Sequence, residues 1–115
     1  MLPKTNILQL LPGLNVTLVG GSGPHEGNIV IDGNQPLCED QFDIADAVVI
    51  CRQLNLSFVS YLTKKSKFGN TTKGSGMSLS CTGTESTISE CIRKENINCG
   101  VKEGAGVSCS NTTKG

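Results

Sequence analysis

The chain is short of large aromatic residues. It has no Trp, one Tyr and three Phe in 115 residues. Such side chains usually supply much of a small core's apolar area, so a core of this size needs another source of stability. Histidine is nearly absent too, with His25 alone. A serine hydrolase needs a base beside its nucleophile, and one histidine in a polar, glycine-rich stretch gives no such pairing. Glu39 and Asp40 form a carboxylate pair, but nothing around them indicates a sugar cleft. The sequence therefore reads as non-catalytic. No net charge remains, since ten basic residues face ten acidic ones. A near-neutral pI without a stacking platform argues against nucleic acid as a dedicated partner. No apolar run approaches the ~20 residues that a membrane span needs.

What the chain does have is six cysteines and 14 glycines. In a short chain that composition fits a disulfide framework in an oxidising compartment. Zinc would call for close cysteine pairs and histidines. The closest pair here is Cys91 and Cys99, so zinc is disfavoured. Four acceptor sequons, at Asn15, Asn55, Asn70 and Asn111, support an extracellular, glycosylated chain.

Residues 43–54, DIADAVVICRQL, form the organising stretch. Ile44, Ala47, Val48, Cys51 and Leu54 recur at helical steps, with Val49 and Ile50 widening the stripe. Asp43 suits an N-cap, Asp46 suits the positive helix end, and Asn55 tolerates a left-handed residue after the last turn. Around this helix the pattern is β-prone. Residues 15–19 alternate, 20–27 (GGSGPHEG) read as a turn, and 28–31 form a β-branched strand. A glycine-rich phosphate loop needs a following helix, so that reading fails on context. Short strands are expected at 35–38, 56–62, 77–81 and 105–110. A loop is expected at 64–76 and a helical turn at 84–91. Residues 93–101 have no clear period. Residues 1–14 read as a leader or linker belonging to a larger chain, 15–110 as one domain, and 111–115 as a tail.

Charge is unevenly spread. Glu39, Asp40, Asp43 and Asp46 crowd the helix start. Lys64, Lys65, Lys67 and Lys73 lie in a stretch without an acid, which reads as a flexible basic loop.

Four segments in order carry a resemblance: VTLVGGSGPHEGNIVI, CEDQFDIADAVVICRQL, CTGTESTISEC and NCGVKEGAGVSC. Together they resemble the scavenger receptor cysteine-rich (SRCR) domain, six-cysteine subgroup, over nearly the whole chain. The resemblance implies an α+β fold, a curved antiparallel sheet cradling one main helix plus a short helical turn. It implies the pairs Cys38–Cys99, Cys51–Cys109 and Cys81–Cys91. On the chain-entropy account, the two long closures contribute roughly 4 kcal/mol each and the short one roughly 3. It also implies a calcium site, which maps onto Asp40, Asp43 and Glu103. Ligands expected from the resemblance are extracellular proteins, polyanions or microbial surfaces, with the four lysines as the candidate contact for polyanions. The other expected role is a structural or regulatory spacer in a mosaic protease or matrix protein. Departures from the family pattern fall at Asn34 and Phe42, where Trp is usual, and at Gly104, where Asp is frequent. A Leu-Asp-Asp-Val segment before Cys81 is also missing.

Overall fold

A computed structural model describes residues 14–72 and 75–111. The leader up to residue 13, the tail beyond Asn111, and Lys73 lie outside the described residues.

The N-terminal alternation continues further than expected. Strand β1 runs Val16–Gly23, and β2 runs Glu26–Ile31. Pro24 and His25 alone make the turn between them. A register shift between Gly20 and Gly23 absorbs the glycine run. Gly20 has φ +89, which a β-carbon resists, and a side chain there would also strike the Phe68 carbonyl. A two-residue strand, β3 (Gln35–Pro36), returns along β2.

Helix α1 spans Ile44–Gln53. Its start is a reciprocal capping box. The Asp46 amide donates to Asp43 Oδ1, and the Asp43 amide donates to Asp46 Oδ2, both at 3.1 Å. Leu54 is the C-cap, and Asn55 follows with φ 64. The buried face differs from the expected stripe. Asp46, Ala47, Val49, Ile50 and Cys51 face inward, whereas Ile44 is 57 % exposed and Val48 half-buried. The stripe is rotated towards Val49 and Ile50, and an acid sits in its middle.

Strand β4 (Phe58–Thr63) follows, then β5 (Ser75–Ser80), a 3-10 turn (Ile88–Glu90), β6 (Ile92–Asn98) and β7 (Gly106–Ser110). β6 is a strand that its sequence did not announce. The sheet is divided in two. A five-stranded antiparallel sheet has the order β1-β2-β7-β4, with β3 on β2, and β5 pairs with β6 apart from it. β7, the closing strand, is thus interior. A bridge from Leu37 to Met77 joins the two sheets, and one from Cys38 to Gly104 ties the chain after β3 to the segment leading into β7.

The core lies between α1 and the sheets. Ile29, Ile31, Leu37, Phe42, Ile50, Met77, Leu79, Ile88 and Val107 fill it. Phe42 is buried in this core, and Asn34 is exposed in a turn. The disulfides are Cys38–Cys99, Cys51–Cys109 and Cys81–Cys91, with Cα separations of 5.7, 5.7 and 4.8 Å. No cysteine is free. Cys51–Cys109 ties the helix to the interior strand.

Candidate functional site

The lysine segment is built into the fold, contrary to the flexible loop expected for it. Ser66 is buried and holds the turn at 101–104 through three bonds. Its amide donates to the Gly104 carbonyl at 2.9 Å. Its hydroxyl donates to the Val101 carbonyl and accepts from the Gly104 amide, both at 2.8 Å. The Thr71 amide donates to the Val101 carbonyl as well. A β-carbon at Gly104 would lie 2.5 Å from Thr71 Cγ2 and 3.0 Å from Ser66 Oγ, so a larger residue there would have to displace these two side chains.

Asn28 anchors the other side of the segment. It is 2 % exposed on β2. Its Nδ2 donates to the Gly69 carbonyl at 2.7 Å, and its Oδ1 accepts from the Phe68 amide at 3.4 Å. Nothing in the sequence marked Asn28. The available signal was a polar residue leading straight into the β-branched run Ile29 to Ile31.

Lys64, Lys65 and Lys67 are exposed on this platform, and Lys102 is exposed on the adjoining turn. The stretch is free of acids in sequence but not in space, since Glu39 Oε1 accepts from the Lys65 amide at 2.7 Å.

The acidic residues are distributed rather than gathered. Asp43 is committed to the helix cap. The Glu103 carboxylate accepts from the Gly100 amide at 2.8 Å, while its carbonyl accepts from the Glu39 amide at 2.9 Å. Asp40 is exposed and lines a cavity of about 220 Å³ with Gln41, Ser78, Lys94 and Ile97. Among the described residues, the group of such ligand types within 4.8 Å of one another is Cys81, Glu85 and Cys91. Its two sulfurs are joined in a disulfide. Oxygen donors such as Asp40 and Glu103 fit calcium in kind. Lys94 on the wall of the same cavity works against a cation there.

Asp46, read from the sequence as a helix-end charge, is fully buried. Burial pushes its carboxyl up to about 6. The Cys81 amide, which donates to Asp46 Oδ1 at 2.7 Å, acts in the opposite sense, as does that of Asp43. This acid links helix start, cap and the Cys81–Cys91 loop.

A larger hollow of about 440 Å³ lies at the other end of α1, lined by Val48, Arg52, Asn55, Leu56 and Ser57. The Arg52 guanidinium is already donated to the Gly83 and Glu85 carbonyls. The sequon residues Asn15, Asn55, Asn70 and Asn111 are all exposed. Asn111 Oδ1 accepts from the Ser57 amide and hydroxyl, so two sequons adjoin. His25 is exposed in its turn.

Comparison with known proteins adds the lineage. The family model of the scavenger receptor cysteine-rich domain matches residues 19–110. The macrophage scavenger receptor types I and II of Bos taurus is 39% identical over 104 residues, which is 83% of this chain and 22% of that protein. The chain therefore spans less than a quarter of that relative's length. Among solved structures, the third SRCR domain of murine neurotrypsin has a TM-score of 0.73 at 27% identity, covering 89% of this chain and 100% of that one. The SRCR domain of mouse MARCO, crystallised in a dimeric form, has a TM-score of 0.59 at 24% identity. It covers 95% of this chain and 100% of that one, and is a likeness of fold alone.

Proposed function

The chain belongs to the scavenger receptor cysteine-rich domain family, and from that premise we propose that it is a non-catalytic, extracellular ligand-binding module whose basic end takes anionic ligands. The observation that carries this reading is the platform of residues 64–72 on the turn at 101–104. It holds Lys64, Lys65 and Lys67 at fixed backbone positions beside Lys102. Fixed positions lower the ordering cost of binding. The ligand class is sulfated or phosphorylated polyanions and the microbial surfaces that carry them, recognised through charge. Lys73 belongs to the same stretch and joins the proposal on sequence alone.

Calcium assistance is the finer part of the proposal. Asp40 and Glu103 would hold the ion, and the backbone bond between Glu39 and Glu103 keeps their segments side by side. The ion would supply a positive charge between the acidic groups and an anionic ligand. Glycosylation at the four exposed sequons and a role in innate defence belong to the same reading.

The spacer role has one observation in its favour. A domain of this kind stands as the third in murine neurotrypsin, so the fold serves as one unit among several.

The experiment is binding to immobilised heparin-like polysaccharide across a salt series, with and without millimolar calcium. Exposed charges are screened over roughly 8 Å at physiological salt, so retention should fall steeply with salt. Replacing Lys64, Lys65, Lys67 and Lys73 by Gln should abolish it with little change in stability. Undiminished binding by that variant sinks the basic-end reading. A melting temperature indifferent to calcium sinks the cation. No binding to any anionic surface favours the spacer.

A further inference from the structure

An antiparallel sheet packed on one face usually shows polar residues on the other. The outer face of the five-stranded sheet is mixed, with Glu26, Thr63, Ser108 and Ser110 sharing it with large exposed aromatic and apolar side chains. Of four aromatic residues in the chain, only Phe42 enters the core. Phe58 (42 % exposed) and Tyr61 (47 %) stand on β4, and Val19 (46 %) stands on β1. Phe68, half-buried, is laid over the same face by the Asn28 bonds. The register groups Tyr61 and Phe58 with Glu26, whereas Val19, opposite Asn28, lies apart on the far edge strand. Tyr61 is opposite Ser108, which is opposite Glu26, and Phe58 is opposite Ser110 on the same side of β7.

Glu26 is the centre of this face. Its Oε1 accepts from Tyr61 Oη and from Ser108 Oγ, both at 3.2 Å. Its Oε2 accepts from the Ser22 amide at 3.1 Å and the Ser22 hydroxyl at 2.9 Å. The Ser22 amide above all holds its carboxyl below the usual carboxylate range, so the charge persists at neutral pH. Glu26 has no basic partner: among the described residues the ion pair is Arg93–Glu95. The hydroxyl bond also fixes the Tyr61 ring, so its exposed face is presented with rotamer freedom already spent.

We propose that this face is a second binding site, for a protein segment that presents an arginine side chain to Tyr61 and the Glu26 carboxylate. The Glu26 oxygens already accept four hydrogen bonds, so the guanidinium stacks on the exposed Tyr61 face and is held there by the charge of the carboxylate, not by a bidentate bond. Phe58, on the same face of β4 as Tyr61, supplies apolar contact beside it, in the manner of an interface anchor. Phe68 belongs to the lysine platform, so the two sites adjoin along β2, and what sets this one apart is the Glu26 charge beside Tyr61.

The test is an NMR titration of the labelled chain at low salt with a Gly-Arg repeat peptide. The control peptide has citrulline in place of arginine, which keeps the shape and removes the charge. Saturable shifts are expected at Glu26, Tyr61 and Ser108 with the arginine peptide only. Glu26→Gln should weaken binding roughly tenfold, the loss of one charged anchor. If that change loosens the strands, Phe58→Ser carries the test, because the Phe58 side chain makes no hydrogen bond. The four-lysine variant should bind the peptide undiminished, which separates failure here from failure of the basic-end reading. Shifts confined to residues 39–46, equal binding of the citrulline peptide, or indifference to both Glu26→Gln and Phe58→Ser would each overturn the proposal.

Discussion

β7 and β6 are neighbours in sequence with opposite surroundings. β7 lies between β2 and β4, holds Cys109, and is buried at four of its five positions. β6 pairs only with β5 and is exposed at six of its seven positions. The first is held by packing on both sides and by a disulfide to the helix. The second is held by one ladder and by disulfides just beyond its two ends, at Cys91 and Cys99. An interior strand must be apolar to exist, so it is visible in sequence. An edge strand has no such constraint, and charged residues suit it because they discourage pairing with other chains. Arg93, Lys94 and Glu95 suit such a position, and they hide the strand.

The largest expected effect breaks the interior side of this contrast. Replacing Cys51 and Cys109 together by Ser removes a closure with a sequence separation of 58 residues, where Cys81–Cys91 spans 10. Denaturant unfolding should lose roughly 4 kcal/mol for the long closure against roughly 3 for the short one. The helix should also lose its register against β7. An equal or reversed ranking would mean that the β5–β6 side, not the interior sheet, limits stability. Peptide mapping without reductant should return the three pairs described above.

Asp46 joins the two sides and gives the next effect. Asp46→Ala leaves the Cys81 and Asp43 amides without acceptors in a dry place. The cost should be roughly 3 kcal/mol in denaturant unfolding. Its ionisation also sets a pH dependence. The carboxyl is raised from an ordinary 3.8 to about 6 by burial, so the folded state binds a proton that the unfolded state has released. Stability is then fully present below about pH 4 and falls as pH rises to about 6, by roughly 3 kcal/mol at most. Glu26 and Glu85 are held below their usual range, so they act in the opposite sense and at lower pH. The window between pH 4.5 and 6.5 therefore isolates Asp46. Asp46→Asn should flatten the melting temperature across it, and a slope that survives assigns the effect elsewhere.

Much of the fold was legible because the residues that carry it obey simple patterns. The cap at Asp43, the left-handed Asn55, the β-branched strand at Ile29 and Ile31, and the six cysteines in order all point one way. The site was less legible. Lys64, Lys65 and Lys67 are exposed as expected. Their support comes from Ser66, Asn28 and Gly104, polar or small residues whose partners lie dozens of positions away. Long-range pairing leaves no local period to read. Asp46 misled for a related reason: a helix-start acid is ordinarily a surface charge, and only the Cys81 amide, 35 positions on, makes it an interior one. The aromatic face around Glu26 needed the β2–β7–β4 register before its members could be seen as neighbours.

The smallest expected effect concerns β6 itself. Ile92 is 76 % exposed, so Ile92→Thr should change stability by no more than about 0.5 kcal/mol. Amide exchange gives the finer reading. β6 donates to one neighbour only, and Asn96 sits at φ 59, beside the register shift at Gly76 and Met77. Such a strand opens locally at far lower cost than the whole domain, whereas β7 is expected to exchange only through global unfolding. Protection in β6 should accordingly fall well below that in β7, with the gap closing as denaturant approaches the midpoint. If β6 proves as protected as β7 in dilute solution, its free edge is covered there. Concentration dependence of that protection would then identify the cover as a second copy of the chain, paired along the one ladder that this strand leaves open.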